Sequence, residues 1–312
     1  MIIEDVAFDR TRVYSTAVVA CGYERRSSYL VRQGIQAETR IAIDLGGSHK
    51  CSYDTNWSEL TSRGWTVLPL DEVLSEITAA SGDGPMAVDV SSLPRPVMAR
   101  LVSTLTRADT LPVVDYHYAT GEFSSSVEAA RESVTLTAGP LTEDFGGSLR
   151  AASIPIGLIL GIGVERFRAN GLMELLEPAR VWQFVAQGGD PRFDALLATL
   201  QAGLGGSERG IAAIGYPIYS LRETYSRLSA LLFSQSPHLR MILAPSGPKL
   251  FSLACLLAAS TAEAPLRPAV WRVGSAHPTT RLDVLEAGPV TVGRVLANPM
   301  QTPDVSRPEK SG

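Results

Sequence analysis

A chain of 312 residues, 45% hydrophobic and 19% charged, has room for two domains or one large α/β unit and enough apolar content to bury a core. Its formal net charge of −4 gives no overall basic footprint for duplex nucleic acid, so none is expected as a partner. Cys21, Cys51 and Cys255 show no CxxC spacing and do not cluster with the four histidines, so neither a disulfide framework nor a metal site is expected.

The chain opens on MIIEDVAFDR, with acids where a secretory leader needs a basic and then an apolar run. No apolar stretch approaches the roughly 18 residues that span a bilayer, so a cytoplasmic chain with reduced thiols and no membrane partner is expected. Strands are predicted at 16–20, 40–45, 65–68, 86–90 and 112–118, nearly continuous in apolar residues as strands covered on both faces must be. Helices are predicted to begin near Ser27, Asn56, Asp71 and Pro94; Asp71 and Glu72 place two acids in a first turn, where the helix dipole favours them. Residues 121–150, rich in Ser, Thr, Gly and acids and with a turn signal at Gly139-Pro140, read as a crossover or linker with one hairpin.

The pattern then restarts, with strands predicted at 156–162, 180–186, 211–216, 240–244 and 269–273 and helices at 165–176, 192–204, 221–232 and 249–259. Ser220 and Glu223 form a capping box before the third of these helices. The prolines and sparse apolar content beyond 297 read as a disordered tail. The expected fold is α/β: two tandem Rossmann-like halves with mainly parallel sheets, over 1–120 and 151–297, joined by a linker at 121–150 and followed by a tail at 298–312.

The halves repeat one another in three places and in the same order. Gly22-Tyr23-Glu24-Arg25 matches Gly163-Val164-Glu165-Arg166; an Arg-led strand ends in Gly46-Gly47 in one half and Gly188-Gly189 in the other; Ser92-Leu93-Pro94-Arg95 matches Ser246-Gly247-Pro248-Lys249. The glycine-pair step needs a gap of two residues, and the whole pattern points to an internal duplication.

All three signatures sit at the carboxyl ends of predicted strands, where open parallel sheets bind ligands. Proline suits a first helical turn, a preceding serine can cap or donate to an anion, and a basic residue just inside adds charge beside free backbone N–H groups. Ser91, Ser92 and Arg95, with Ser246, Gly247 and Lys249, are therefore candidates for holding an anion. Gly22, Glu24, Arg25 and Arg26 form a second candidate group, and Glu165 and Arg166 a third that lacks one cation because Phe167 stands opposite Arg26. The plainer account is a helix start with a solvated cation and an acid that satisfies the dipole.

Asp89 can serve as a base or as a cap, and Asp115-Tyr116-His117-Tyr118 can stack a ring or alternate between core and surface. With no GxGxxG fingerprint, P-loop, nucleophile elbow or HExxH, no catalytic set is assigned and no cofactor is expected.

The strand RMILAP followed by SGPKLFSLACLLAA resembles the Gly-x-Lys strand-to-helix turn of CARF ligand-sensing domains, through Ser246, Gly247 and Lys249 with Ser92 and Arg95 as counterparts. Two such units in one chain resemble the arrangement of SAVED domains. The resemblance implies a sensor of cyclic oligonucleotides in antiphage defence and, since no nuclease domain is attached, a separate effector or partner protein. Three functions stay open: binding of a nucleotide or other phosphorylated ligand at a cleft between the halves; a transferase or hydrolase on such a substrate, with Glu24, Glu165 or Asp89 as base; and an accessory subunit of a complex. The first requires Arg95 and Lys249 to meet at one rim of the molecule.

Overall fold

The computed structural model describes residues 1–47, 49–80, 84–108, 113–123, 135–163, 166–202, 211–275 and 283–296. Its strands are β1 (Ile2–Val6), β2 (Val13–Cys21), β3 (Gln36–Asp44), β4 (Thr66–Leu68), β5 (Met86–Asp89), β6 (Val114–Gly121), β7 (Thr135–Pro140), β8 (Ile156–Gly161), β9 (Arg180–Gln187), β10 (Ala212–Pro217), β11 (Arg240–Ala244), β12 (Ala269–Ser275) and β13 (Glu286–Leu296). Its helices are α1 (Tyr29–Arg32), α2 (Tyr53–Ser62), α3 (Leu70–Ala79), α4 (Arg95–Arg107), α5 (Arg166–Leu176), α6 (Pro191–Ala202), α7 (Leu221–Gln235) and α8 (Lys249–Thr261).

The strands form two mainly parallel sheets, ordered β1-β13-β6-β5-β2-β3-β4 and β10-β9-β8-β11-β12-β7 among the described residues. The protein is thus an α/β fold of two Rossmann-like halves. In both, the first parallel strand lies centrally (β2, β8), the second and third lie to one side, and the fourth and fifth to the other. Each fifth strand, β6 or β12, is flanked by an antiparallel partner, and those partners are exchanged: β7 follows β6 in the chain but pairs with β12, while β13 follows β12 but pairs with β6. Sheet membership therefore crosses the boundaries expected from the sequence, since 286–296 belongs to the first sheet and 135–140 to the second.

The elements missing from the sequence reading are β1 and these two antiparallel strands. β1, on the edge of the first sheet, buries only Ile3 and leaves Ile2, Glu4 and Asp5 exposed, too short and too polar a run to stand out. β13 contains Gly288-Pro289, which reads as a breaker; the ladder accommodates it by a register shift between Ala287 and Thr291. Gly139 and Pro140 do not turn. They end β7, opposite Arg272 and Trp271, on an edge strand that tolerates proline. The expected tail and Glu165 lie outside the described residues, and no helix of those residues is long and apolar enough to cross a membrane.

One apolar core runs through both halves. Met98, Ala99, Leu101 and Val102 of α4 join it, as do residues 250–259 of α8, which are buried on every side. A helix apolar all round must be covered all round. α8 meets this by packing between its own sheet, α7 and the α4 of the other half. A second, smaller cluster lies under α1 and α2 on the other face of the first sheet.

Candidate ligand-binding site

The Ser-x-Pro-basic loops meet. Pro94 and Pro248 stand at the N-termini of α4 and α8 with nearly the same backbone angles, φ −58° and ψ 142° against φ −56° and ψ 140°. Arg95 Nη2 donates to the Gly247 carbonyl at 2.9 Å, and Lys249 Nζ donates to the Leu93 carbonyl at 2.7 Å. Each cation thus reaches the carbonyl two residues before the other, a reciprocal clasp across the interface. Arg95 Nε also donates to Ser252 Oγ at 2.9 Å.

Beside this clasp lies a cavity of about 840 Å³. Lys249, Pro248 and Gly247 line it with Ile162 and Ala186 at the ends of β8 and β9, Gly189 and Asp190 before α6, residues 191–194 in its first turn, and Ile218 and Tyr219 after β10. The first half contributes Arg26 and the end of β6, from Tyr118 and Thr120 to Phe123, and residues 283–285, 287 and 288 close one side. The site is therefore built chiefly on the strand ends of the second half. Arg95 is not among its lining residues.

Aromatic rings form much of the wall. Phe123 and Phe193 pack edge to face with centroids 4.8 Å apart, and the Arg192 guanidinium lies 5.0 Å over the Phe123 ring. Asp190 holds Arg192 at 2.9 Å, and that hydrogen bond brings the Asp190 carboxyl down to about 2. Arg26 is buried; burial opposes its charge, but the Glu24 carboxylate at 2.7 Å outweighs this and raises its pKa. Glu122, Asp194 and Asp283 complete a lining of mixed charge.

Gly247 has a structural reason to be glycine. Its φ is +80°, and a Cβ there would lie 2.5 Å from the Ile162 carbonyl oxygen. Gly163 packs against the same backbone, 2.7 Å from its Cβ position to Gly247 N, so the β8 and β11 turns touch main chain to main chain. Arg166 opens α5, and its side chain lies outside what the structure describes.

The N-terminal candidates are tied up internally. Ser27 Oγ donates to Ser92 Oγ at 2.8 Å, Ser28 Oγ bonds Asn56 and Glu59, and Asn56 donates to the Gly22 and Glu24 carbonyls. Arg25 and Arg32 both pair with Glu59. Asp89 is buried and accepts from the Ser91 hydroxyl and amide, while Ser91 Oγ accepts the Ala119 amide. Burial pushes Asp89 up to about 6 against the pull of Ser91 and Arg26. Neither Asp89 nor Glu24 lines the cavity, so nothing places them as bases toward a ligand there.

The DYHY segment splits by strand alternation. Tyr116 and Tyr118 face the main core, and Tyr118 reaches the cavity. Asp115 and His117 face the other way, where Asp115 binds Arg294 at 2.8 and 2.9 Å and Tyr14 OH at 2.9 Å, and His117 packs between Phe8 and Tyr14.

Sequence reasoning missed Phe123, residues 190–194 at the start of α6, Tyr219 and Asp283. The Gly188-Gly189 pair marked the right strand end for the second of these; the others sit in connections without a motif. Among the described residues no three His, Cys, Asp or Glu side chains cluster to hold a metal.

No protein-family model matches the sequence, and no curated protein is significantly similar to it. Among solved structures the chain is similar to a Type III CRISPR defence DNA nuclease activated by cyclic oligoadenylate, with 9% identity and a TM-score of 0.49 over 79% of this chain and 63% of that one. The chain thus spans less than two thirds of that protein's length, and a likeness at this level says nothing of ligand or activity.

Proposed function

We propose that the cavity between the halves binds a nucleotide or a related phosphorylated ligand, and that the protein acts as a sensor of it. One observation carries this reading: Lys249, at the start of α8, shares a single cavity with Tyr118, Phe123, Phe193 and Tyr219 at the carboxyl ends of parallel strands. About 840 Å³ falls within the size range of small-molecule sites, roughly 300–1,000 Å³. The mixed lining suits a nucleotide better than a bare polyanion. Aromatic walls offer a base a stacking surface, Asp194 and Glu122 can accept hydrogen bonds from sugar hydroxyls or an exocyclic amine, and Lys249 adds a charge-assisted donor for phosphate. A defence role, and a separate effector that reads the bound state, belong to the same proposal and come from the resemblance of the Ser246-Gly247-Pro248-Lys249 turn.

The test is mass spectrometry of small molecules released from the purified protein, followed by calorimetry with AMP, ATP and cyclic oligoadenylates. Lys249→Met is expected to weaken binding about 10- to 100-fold, the worth of one charge-assisted phosphate contact of roughly 1.5–3 kcal/mol. A protein that releases no such molecule and binds none of the panel, or a Lys249→Met variant that binds as the parent does, removes the reading.

A further inference from the structure

We infer that residues 283–288 form an autoinhibitory strap that holds the first half's strand ends closed, and that ligand binding in the cavity is opposed by it. The inference rests on the proposed ligand site, because the same segment is one wall of that cavity.

The strap is tied to the first half by a series of polar contacts. Asp283 Oδ1 accepts the Arg25 amide at 2.7 Å and Oδ2 accepts the Ser52 hydroxyl at 2.6 Å. The Val284 carbonyl accepts the Arg26 amide at 3.2 Å, and the Leu285 carbonyl accepts the Glu122 amide at 2.8 Å. Arg32 Nη2 donates to Glu286 Oε1 at 2.8 Å. Val284 presses on the end of β6 so closely that a Cβ on Gly121 would lie 2.6 Å from its Cγ1.

These contacts cover the Gly22–Arg26 turn, whereas in the second half Ile162, at the end of β8, lies open to the cavity. The segment contributes little to the core: Asp283 is exposed and Leu285 is 47% exposed. Glu286 and Ala287 are already paired with Gly121 and Thr120 in the first sheet. Residues 283–285, ahead of that ladder, are held mainly by surface hydrogen bonds, which places them at the low-stability end of local opening. This part of the segment, a cavity wall and a weakly anchored cover, can lift while the sheet stays paired. Asp283 is the tie whose charge can be removed with least change of shape.

The experiment compares the parent chain with Asp283→Asn and with Ser52→Ala. Hydrogen exchange is followed over 20–30 and 283–290, melting temperature is measured, and calorimetry uses AMP as the probe. Both variants are expected to exchange at least tenfold faster over 283–290 with the melting temperature little changed, and Ser52→Ala, which leaves the cavity lining intact, to bind AMP at least fivefold more tightly. Unchanged exchange in both variants overturns the strap. Faster exchange with AMP bound equally by parent and variant overturns its inhibitory role. Faster exchange with no AMP bound by either upholds the strap and overturns the nucleotide reading of the site.

Discussion

The two halves build the same strand-end loop and use it differently. Pro94-Arg95 and Pro248-Lys249 share backbone angles and a reciprocal hydrogen bond, yet Lys249 lines the cavity and Arg95 lies outside its lining. The preceding turns differ more. The first half's turn is buried in a network with Glu59 and Asn56 and covered by 283–288, whereas the second half's borders the cavity at Ile162. A repeated basic residue at a helix start therefore has an explanation independent of any ligand: it closes the interface. The two basic residues close the contact between the halves, and the cavity lies on the Lys249 side of that contact.

The largest expected break in this comparison is Gly247→Ala. The left-handed backbone costs a non-glycine residue roughly 1–2 kcal/mol, and forcing a methyl against the Ile162 carbonyl adds a strain of roughly 1–3 kcal/mol. The variant should lose about 2–5 kcal/mol in denaturant unfolding. A loss below about 1 kcal/mol would show that the β8 and β11 turns do not depend on their main-chain contact, and with it the second half's distinctive loop would lose its reason.

A second difference is electrostatic and sits in the first half. His117 is buried with no hydrogen-bond partner among the described residues, and burial lowers its pKa to about 4 against the pull of Asp115; Arg12 and Arg294 also disfavour the charged ring. Its folded-state pKa lies below the unfolded 6.5, so as pH falls from 6.5 to 4 the unfolded chain takes the proton first and stability drops. The drop is on the order of 3 kcal/mol at 1.36 kcal/mol per unit. Asp89 has the opposite sign. Its pKa is raised to about 6, so its contribution is fully present below the unfolded 3.8 and is lost as pH rises through 6. The two offset each other in the parent chain. Asp89→Asn should expose a loss of stability between pH 6.5 and 4, and His117→Phe should expose a gain over nearly the same range. Parallel pH profiles for both variants would refute the assignment.

The parallel strands were legible because a strand covered on both faces must be apolar along its length, and β11 was placed at 240–244 from that pattern alone. The capping box was equally local, and Ser220 Oγ does accept the Glu223 amide at 3.0 Å. What could not be read was long-range. The exchange of β7 and β13 depends on pairing choices over more than a hundred residues, and β13 carries a Gly-Pro that argues locally against a strand. The sequence led to the expectation of one rim where Arg95 and Lys249 hold an anion together; their loops touch, but the partners are backbone carbonyls of the opposite loop and Arg95 lies outside the cavity lining. Nor could the sequence show that Asp283 would lie over Arg25, 258 residues away in the chain. Aromatic residues such as Phe123 and Phe193 carry no motif, since their role comes only from the strand ends that bring them together.

The smallest effect is the most discriminating. Arg95→Ala removes donors to Ser252 and Gly247 and should cost about 1–3 kcal/mol of stability, because it leaves a carbonyl and a hydroxyl at the interface without their charged partner. Lys249→Met removes one donor to Leu93 and keeps the apolar stem, so its loss should be about 1 kcal/mol. Ligand binding should reverse the order, falling strongly in Lys249→Met and little in Arg95→Ala. Measured side by side, unfolding and calorimetry then separate the clasp from the site. If Arg95→Ala abolishes binding at unchanged stability, the first half is part of the ligand site after all, and the asymmetry between the halves is one of the unliganded state only.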